Sequence, residues 1–138
     1  MQIVTYPLFI ISIQGDEGIL PHTDGPTYFD RTATFSICGG DVLFQFAKRG
    51  INDSGQGEGD ESNDNKENAC TVMEIKLHGN GSLIVFTGDA YTDHCHSIND
   101  RVHDFTEFAG NNCVNAVEGE TISRGHRISL TFRHKYTA

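Results

Sequence analysis

The chain has 138 residues and a mass of 15.2 kDa, room for one compact core and too little for two independent domains. Its longest runs of consecutive large apolar residues, 8–11 and 83–86, are four residues each. No segment reads as membrane-spanning, and the N-terminus lacks the basic region and small-x-small site of a secretory leader. Ten basic residues against nineteen acidic ones give a net charge of −9, which disfavours a partner made of phosphates, and the four cysteines (Cys38, Cys70, Cys95, Cys113) read as thiols of a cytoplasmic or nuclear protein.

In chain order, residues 3–13 are rich in β-branched and aromatic side chains and read as a strand. Residues 32–38 alternate Ala33, Phe35 and Ile37 against Thr32, Thr34 and Ser36. Gly39-Gly40 then turns the chain into a strand with Val42, Phe44 and Phe46 on one face. Residues 50–68 carry Asp53, Glu58, Asp60, Glu61, Asp64 and Glu67 against Lys66, with Ile51 as their one large apolar residue. That composition cannot offset its ordering entropy by burial, so it reads as a disordered acidic loop. A calcium loop is the functional alternative, but the acids do not have EF-hand spacing and the glycine at the sixth position is missing.

Strands follow at 71–78, 82–87, 90–98 and 127–133, with Gly79-Asn80-Gly81 as a hairpin turn. Residues 99–124 are less regular and read as a second surface excursion, with a short helical turn near 105–108. There is no internal repeat. The chain is therefore expected to be all-β and a single domain, with more strands than one flat sheet holds comfortably. This favours two facing sheets, a sandwich or jelly roll, over a closed barrel.

Three clusters can carry chemistry. In Pro21-His22-Thr23-Asp24-Gly25-Pro26 an extended backbone sends His22 and Asp24 to one face, so an imidazole and a carboxylate can meet one metal ion. That is two-thirds of the 2-His-1-carboxylate facial triad, which leaves open positions on the metal. The bland alternative is a turn at Asp24-Gly25-Pro26. A distant third ligand is offered by Asp93-His94-Cys95-His96-Ser97, where period-2 alternation puts His94 and His96 on the same face and cannot choose between them. Cys95 with Cys70 or Cys113 lacks the paired Cys-x-x-Cys spacing of a zinc site. In Arg127-Ile128-Ser129-Leu130-Thr131-Phe132-Arg133 alternation segregates both arginines from Ile128, Leu130 and Phe132. Six strand residues span roughly 20 Å, and two guanidinium groups reaching inward can bracket a short dicarboxylate. An edge strand with solvated arginines is the alternative.

Taken in order, Gly18-Ile19-Leu20-Pro21-His22-Thr23-Asp24-Gly25-Pro26-Thr27-Tyr28, then Gly88-Asp89-Ala90-Tyr91-Thr92 leading to His96-Ser97-Ile98, then residues 127–133, resemble the AlkB family of Fe(II)/2-oxoglutarate dioxygenases, most closely the group of its sixth eukaryotic homologue. The resemblance implies a double-stranded β-helix with the metal at one mouth. It implies His22, Asp24 and His96 as Fe(II) ligands, His96 in preference to His94 because of the Ser-Ile that follows it. Arg127 and Arg133 would hold the two carboxylates of the co-substrate 2-oxoglutarate, with Ser129 between them. By the same analogy the five-carbon end pairs with Arg127 and the keto-acid end lies near Arg133. Three protein ligands leave three positions, two for the 2-oxo acid and one for dioxygen. The implied reaction couples decarboxylation to succinate with hydroxylation of a substrate C–H bond, and an N-methyl group so hydroxylated is lost as formaldehyde.

The chain departs from the family in two places. Where the family has Asn-x-Tyr as polar anchors for 2-oxoglutarate, this sequence has Ile11-Ser12-Ile13. The family's nucleotide-recognition lid also precedes the matched region, before which only about fifteen residues lie here, so the chain reads as truncated at its N-terminus relative to the family. Local positive charge is confined to Arg124, His126 and the tail Arg133-His134-Lys135. The family substrate, alkylated nucleic acid, is therefore unsupported by charge. The competing readings are a catalytically impaired or non-catalytic jelly-roll module, and a protein or small-molecule hydroxylase.

Overall fold

The computed structural model describes residues 8–49, 71–106 and 112–135. The acidic stretch 50–68, the start of the first expected strand and residues 107–108 of the expected helical turn lie outside them; Phe105, in that expected turn, ends a strand instead. Among the described residues two β-sheets face each other. The first has the order β1 (Leu8–Ile13), β11 (Arg127–Lys135), β3 (Tyr28–Gly39), β6 (Leu83–Thr87). The second has the order β2 (Ile19–His22), β7 (His94–Ile98), β4 (Val42–Lys48), β5 (Thr71–Leu77), β9 (Asn112–Val114). Successive strands cross between the sheets, β3 to β4, β5 to β6, β6 to β7, and pairing is antiparallel except between β5 and β9. This is the all-β jelly-roll arrangement expected from the number of short, turn-bounded strands.

The core is built asymmetrically. Val42, Phe44 and Phe46 project inward from β4 and pack with Leu77, Ile84, Phe86, Tyr91, Ile98 and Ile13. Across from them, the inward face of the first sheet is polar: Thr32, Thr34 and Ser36 on β3 and Arg127, Ser129 and Thr131 on β11 are all buried. Hydrophobic alternation identifies two faces of a strand but does not say which is inside. Here the interior contains a polar cavity, and that face carries the hydroxyls and guanidinium groups.

Two connections need glycine. Gly39, at φ 113°, ends β3, and a Cβ on Gly79 would lie 1.8 Å from the Gly39 carbonyl oxygen. Neither connection is the expected hairpin, because β3–β4 and β5–β6 each cross from one sheet to the other; the two glycine turns instead pack backbone to backbone, which only glycine permits.

The single strand expected at 90–98 is instead one helical turn, α1 (Asp89–Thr92), followed by β7. Gly88 at φ 56° breaks the extended chain after β6, Asp93 N–H closes the turn on the Asp89 carbonyl, and Tyr91 is buried as a result. Four residues are too few for periodicity to separate these conformations. In the region 99–124, β8 (His103–Phe105) pairs with β10 (Thr121–Ser123), while β9 extends the second sheet. Asp104 and Arg124 anchor it: the Asp104 carboxylate accepts a hydrogen bond from Leu43 N–H at 2.9 Å, and Arg124 donates to the carbonyls of Asn99 and Glu17 at 2.8 and 2.7 Å.

Candidate metal centre and its cavity

β2 and β7 are neighbours, and His22 sits directly opposite His96 in their register. The chain leaves β2 extended, so Asp24 returns to the face of His22, and Gly25 at φ 75° then reverses it. Tyr91 O–H donates to the Gly25 carbonyl at 2.8 Å and pins this loop to the core. The turn and the ligand-bearing strand are therefore the same feature. One nitrogen of each imidazole and one carboxylate oxygen of Asp24 all lie within 4.8 Å of one another. The Asp24 side chain is fully buried, and its Oδ1 lies 3.9 Å from His22 Nε2 and 3.8 Å from His96 Nε2.

The donor set suits a divalent cation. Adjacent ligands about 2.1 Å from a metal on one octahedral face are about 3 Å apart, so the three atoms, now within 4.8 Å of one another, would draw together by up to about 2 Å around a cation. Each ligand is oriented from behind. His22 Nδ1 is 2.8 Å from the Leu20 carbonyl, which fixes that nitrogen as the donor and leaves the Nε2 lone pair facing Asp24. Thr32 donates its hydroxyl proton to Asp24 Oδ2, while Oδ1, also buried, is held by the ion pair with Arg133. His96 is stacked 15° from coplanar with Phe44 and lies 4.9 Å from the Phe86 ring. Burial pushes its pKa down to about 4; the Asp24 carboxylate opposes the shift, and the nearby His22 and Arg133 add to it. The imidazole is thus neutral and able to ligate well below neutral pH.

His94 is elsewhere. It lies opposite Lys48, and its Nδ1 is 2.8 Å from the Asp89 carbonyl. Cys38, Cys95 and Cys113 are free thiols, and no cysteine joins a metal-binding group among the described residues.

His22 and His96 stand at one side of a cavity of about 170 Å³ whose other walls are Ile11, Ile19, Phe44, Ile98, Thr32 and Thr34, with Arg127, Ser129, Thr131 and Arg133 along β11. This is below the ~300–1,000 Å³ of drug-sized sites and suits a small acid. A more open depression of about 630 Å³ beneath the β1–β2 turn, rimmed by Asp16, Glu17 and Asp100, holds none of the candidate ligands.

The two arginines differ. Arg127 is 2% exposed, donates to Ser36 Oγ at 2.6 Å, and leaves Nε without a hydrogen bond. Burial, with Arg124 as a like-charged neighbour, pushes its pKa down to about 10. Among the described residues no carboxylate pairs with it, and a buried cation without a counter-ion is a strong acceptor site for a ligand carboxylate. Arg133 lies between the Phe9 and Tyr28 rings and places a guanidinium nitrogen 2.5 Å from Asp24 Oδ1. A cation held by His22, Asp24 and His96 would compete with that guanidinium for Oδ1 and leave Arg133 able to pair with a ligand carboxylate.

Ile11 lies opposite Ser129 and Ile13 opposite Arg127, so both isoleucines face inward. Ile11 lines the cavity, and Ile13 is a 5% exposed core residue.

Thr32 was not singled out by the sequence reading, although its place opposite Arg133 puts it on the same inward face. Thr32→Val is expected to lower Mn(II) affinity about 10- to 100-fold, the range for lost outer-sphere partners, and Thr32→Ser to restore it. Unchanged affinity in the valine variant would deny Thr32 that role. A second expected result concerns pH. Because the folded-state pKa of His96 lies below its unfolded value of about 6.5, the unfolded chain binds more protons in that window. Stability should fall by about 3 kcal/mol as pH drops from 6.5 to 4. Melts of metal-free protein should show a shallower acid slope in His96→Gln; parallel slopes would contradict the assignment.

The chain is thus a jelly roll with a potential metal-binding His-Asp-His group beside a cavity lined by two arginines. It is similar to the probable RNA/DNA demethylase ALKBH6 of Danio rerio, 29% identical over 120 residues that cover 86% of this chain and 48% of that protein. The chain spans about half the length of the curated relative it matches. No family model matches the chain.

Proposed function

We propose that this chain is an Fe(II)/2-oxoglutarate-dependent oxygenase domain of AlkB type that demethylates alkylated nucleic acid in the cytoplasm or nucleus. The observation that supports the reading is that His22 and His96, grouped with Asp24, line the cavity that Arg127 and Arg133 also line. Iron held by these three residues would supply oxidation of a substrate C–H bond by dioxygen, with 2-oxoglutarate as the second reductant. The chain's own part is binding and exclusion. Arg127 takes the distal carboxylate of the co-substrate, Arg133 takes the carboxylate nearest the metal, and Ser129 and Thr131 offer hydroxyls between them. Ile11, Ile19, Ile98 and Phe44 keep water from the remaining surface.

The nucleic-acid part of the reading rests on the relative's name and on where the charge lies. Arg124 is buried beside Asp104 and unavailable. Arg31, Lys48, Arg49 and Lys135 are exposed at strand ends near the His22–His96 pair. They balance Asp30, Asp89 and Asp93 there, while Asp16, Glu17, Asp41, Glu118 and Glu120 lie at the other end of the roll. Among the described residues, these exposed charges at that end nearly balance, although the chain as a whole carries −9. Incubating the protein with Fe(II), 2-oxoglutarate and an N-methylated oligonucleotide should release formaldehyde in step with succinate. Succinate without formaldehyde would retain the oxygenase and remove this substrate class, leaving a protein or small-molecule hydroxylase. Ile11 at the cavity wall favours a second reading, an impaired module that binds metal and co-substrate but turns over slowly.

A further inference from the structure

The Asp24 side chain is fully buried, and a buried carboxylate needs a counter-charge. Arg133 supplies it, and its guanidinium reaches the same Oδ1 that lies 3.9 Å from His22 Nε2 and 3.8 Å from His96 Nε2. It therefore holds the oxygen that a cation shared by the three residues would take. Among the described residues Arg133 pairs with no other carboxylate, and its Nε has no hydrogen bond. Its Cζ lies 4.9 Å from the Phe9 ring centroid and 5.5 Å from that of Tyr28. Such cation–π contacts retain a guanidinium without fixing the direction of its N–H groups. Arg133 also lines the cavity, on the strand that carries Arg127, so the group borders both Asp24 and the space an acid would fill.

We propose that Arg133 is a shared latch that couples the two ligands of the site: bound to Asp24 it obstructs both, and a divalent cation on Asp24 releases it to hold a carboxylate in the cavity. This rests on the metal and co-substrate reading above and adds its regulation, that neither ligand binds well alone. Charge supports it. Asp24, Arg127 and Arg133 bring one negative and two positive charges. A divalent cation by itself adds two more positive charges beside two guanidinium groups, and a dicarboxylate by itself draws Arg133 away and leaves Asp24 buried without its partner. Together the two ligands leave the net charge of the site unchanged, and each charge has an opposite neighbour. The coupling is reciprocal by linkage, so the factor by which the cation tightens the acid is the factor by which the acid tightens the cation. It does not require a keto oxygen, which separates it from chelation of the metal.

Calorimetric titration of the whole chain with glutarate, a five-carbon dicarboxylate without the keto group, tests this directly. Without metal, Asp24→Asn should bind glutarate about tenfold more tightly than wild type, the size of one charge-assisted hydrogen bond set free, and adding Arg133→Gln should remove the gain. In wild type, Mn(II) and glutarate should each tighten the other about tenfold, and Arg133→Gln should lose most of that coupling while binding Mn(II) at least as tightly. Circular dichroism checks that each variant folds; should Asp24→Asn not fold, the coupling in Arg133→Gln decides alone. Equal glutarate affinity in wild type and folded Asp24→Asn, or coupling undiminished in Arg133→Gln, overturns the latch and leaves the co-substrate reading standing. If neither glutarate nor 2-oxoglutarate binds any of these proteins, with or without Mn(II), the co-substrate reading fails and the latch with it.

Discussion

Alanine at His22, Asp24 or His96 is expected to lower the affinity for Fe(II) or Mn(II) by more than 100-fold, and alanine at His94 to leave it unchanged. The reason is geometric. Three ligand atoms within 4.8 Å of one another can share a cation, and loss of one leaves two donors and an opened cavity. Outer-sphere partners alone are worth 10- to 100-fold, so a direct ligand should exceed that. His94 is held at the Asp89 carbonyl, two residues along β7 from His96 and outside the group. Anaerobic metal titration of the four variants checks it. Loss of metal in His94→Ala with retention in His96→Ala would reverse the assignment.

The second large effect concerns the co-substrate. Charge-assisted hydrogen bonds to a carboxylate contribute roughly 1.5–3 kcal/mol, against about 1 for neutral ones, so either arginine should be worth tenfold or more in 2-oxoglutarate affinity. Arg127→Ala should weaken 2-oxoglutarate while leaving metal affinity alone. Arg133→Ala should weaken 2-oxoglutarate and also tighten the metal, because Asp24 Oδ1 no longer faces a competing guanidinium. Ile11→Asn, which adds a polar group to the cavity wall, should tighten 2-oxoglutarate. Ile13→Tyr enlarges a core residue, and its expected effect is a lower thermal midpoint. Calorimetry of 2-oxoglutarate into Mn(II)-loaded protein separates these outcomes, and binding indifferent to both arginines would remove the co-substrate assignment.

The strands were legible because β-branched and aromatic alternation between glycine turns is a strong local signal, as in β3, β4 and β11. The short strands β2, β8, β9 and β10, three or four residues each, were not expected as strands, and α1 hides in four residues whose conformation is set by Gly88 and by burial of Tyr91, neither of which periodicity registers. His22 and Asp24 could be paired from spacing alone, and Arg127 and Arg133 shared a face by alternation. Choosing His96 over His94 required either the family resemblance or the register of β7 against β2. Thr32 and the Arg133–Asp24 ion pair were not legible, because both depend on β3 and β11 meeting across about a hundred residues. The inward polar face of the first sheet was hidden for the same reason.

The most direct test of the central claim, that one metal and 2-oxoglutarate meet at His22, Asp24 and His96, is Fe(II)-dependent conversion of 2-oxoglutarate to succinate by the purified chain without any added substrate. The expected result is slow succinate formation that requires Fe(II) and dioxygen and disappears in Asp24→Ala and Arg127→Ala. Absence of succinate from protein that demonstrably binds both Fe(II) and 2-oxoglutarate, or formation that survives Asp24→Ala, would contradict it.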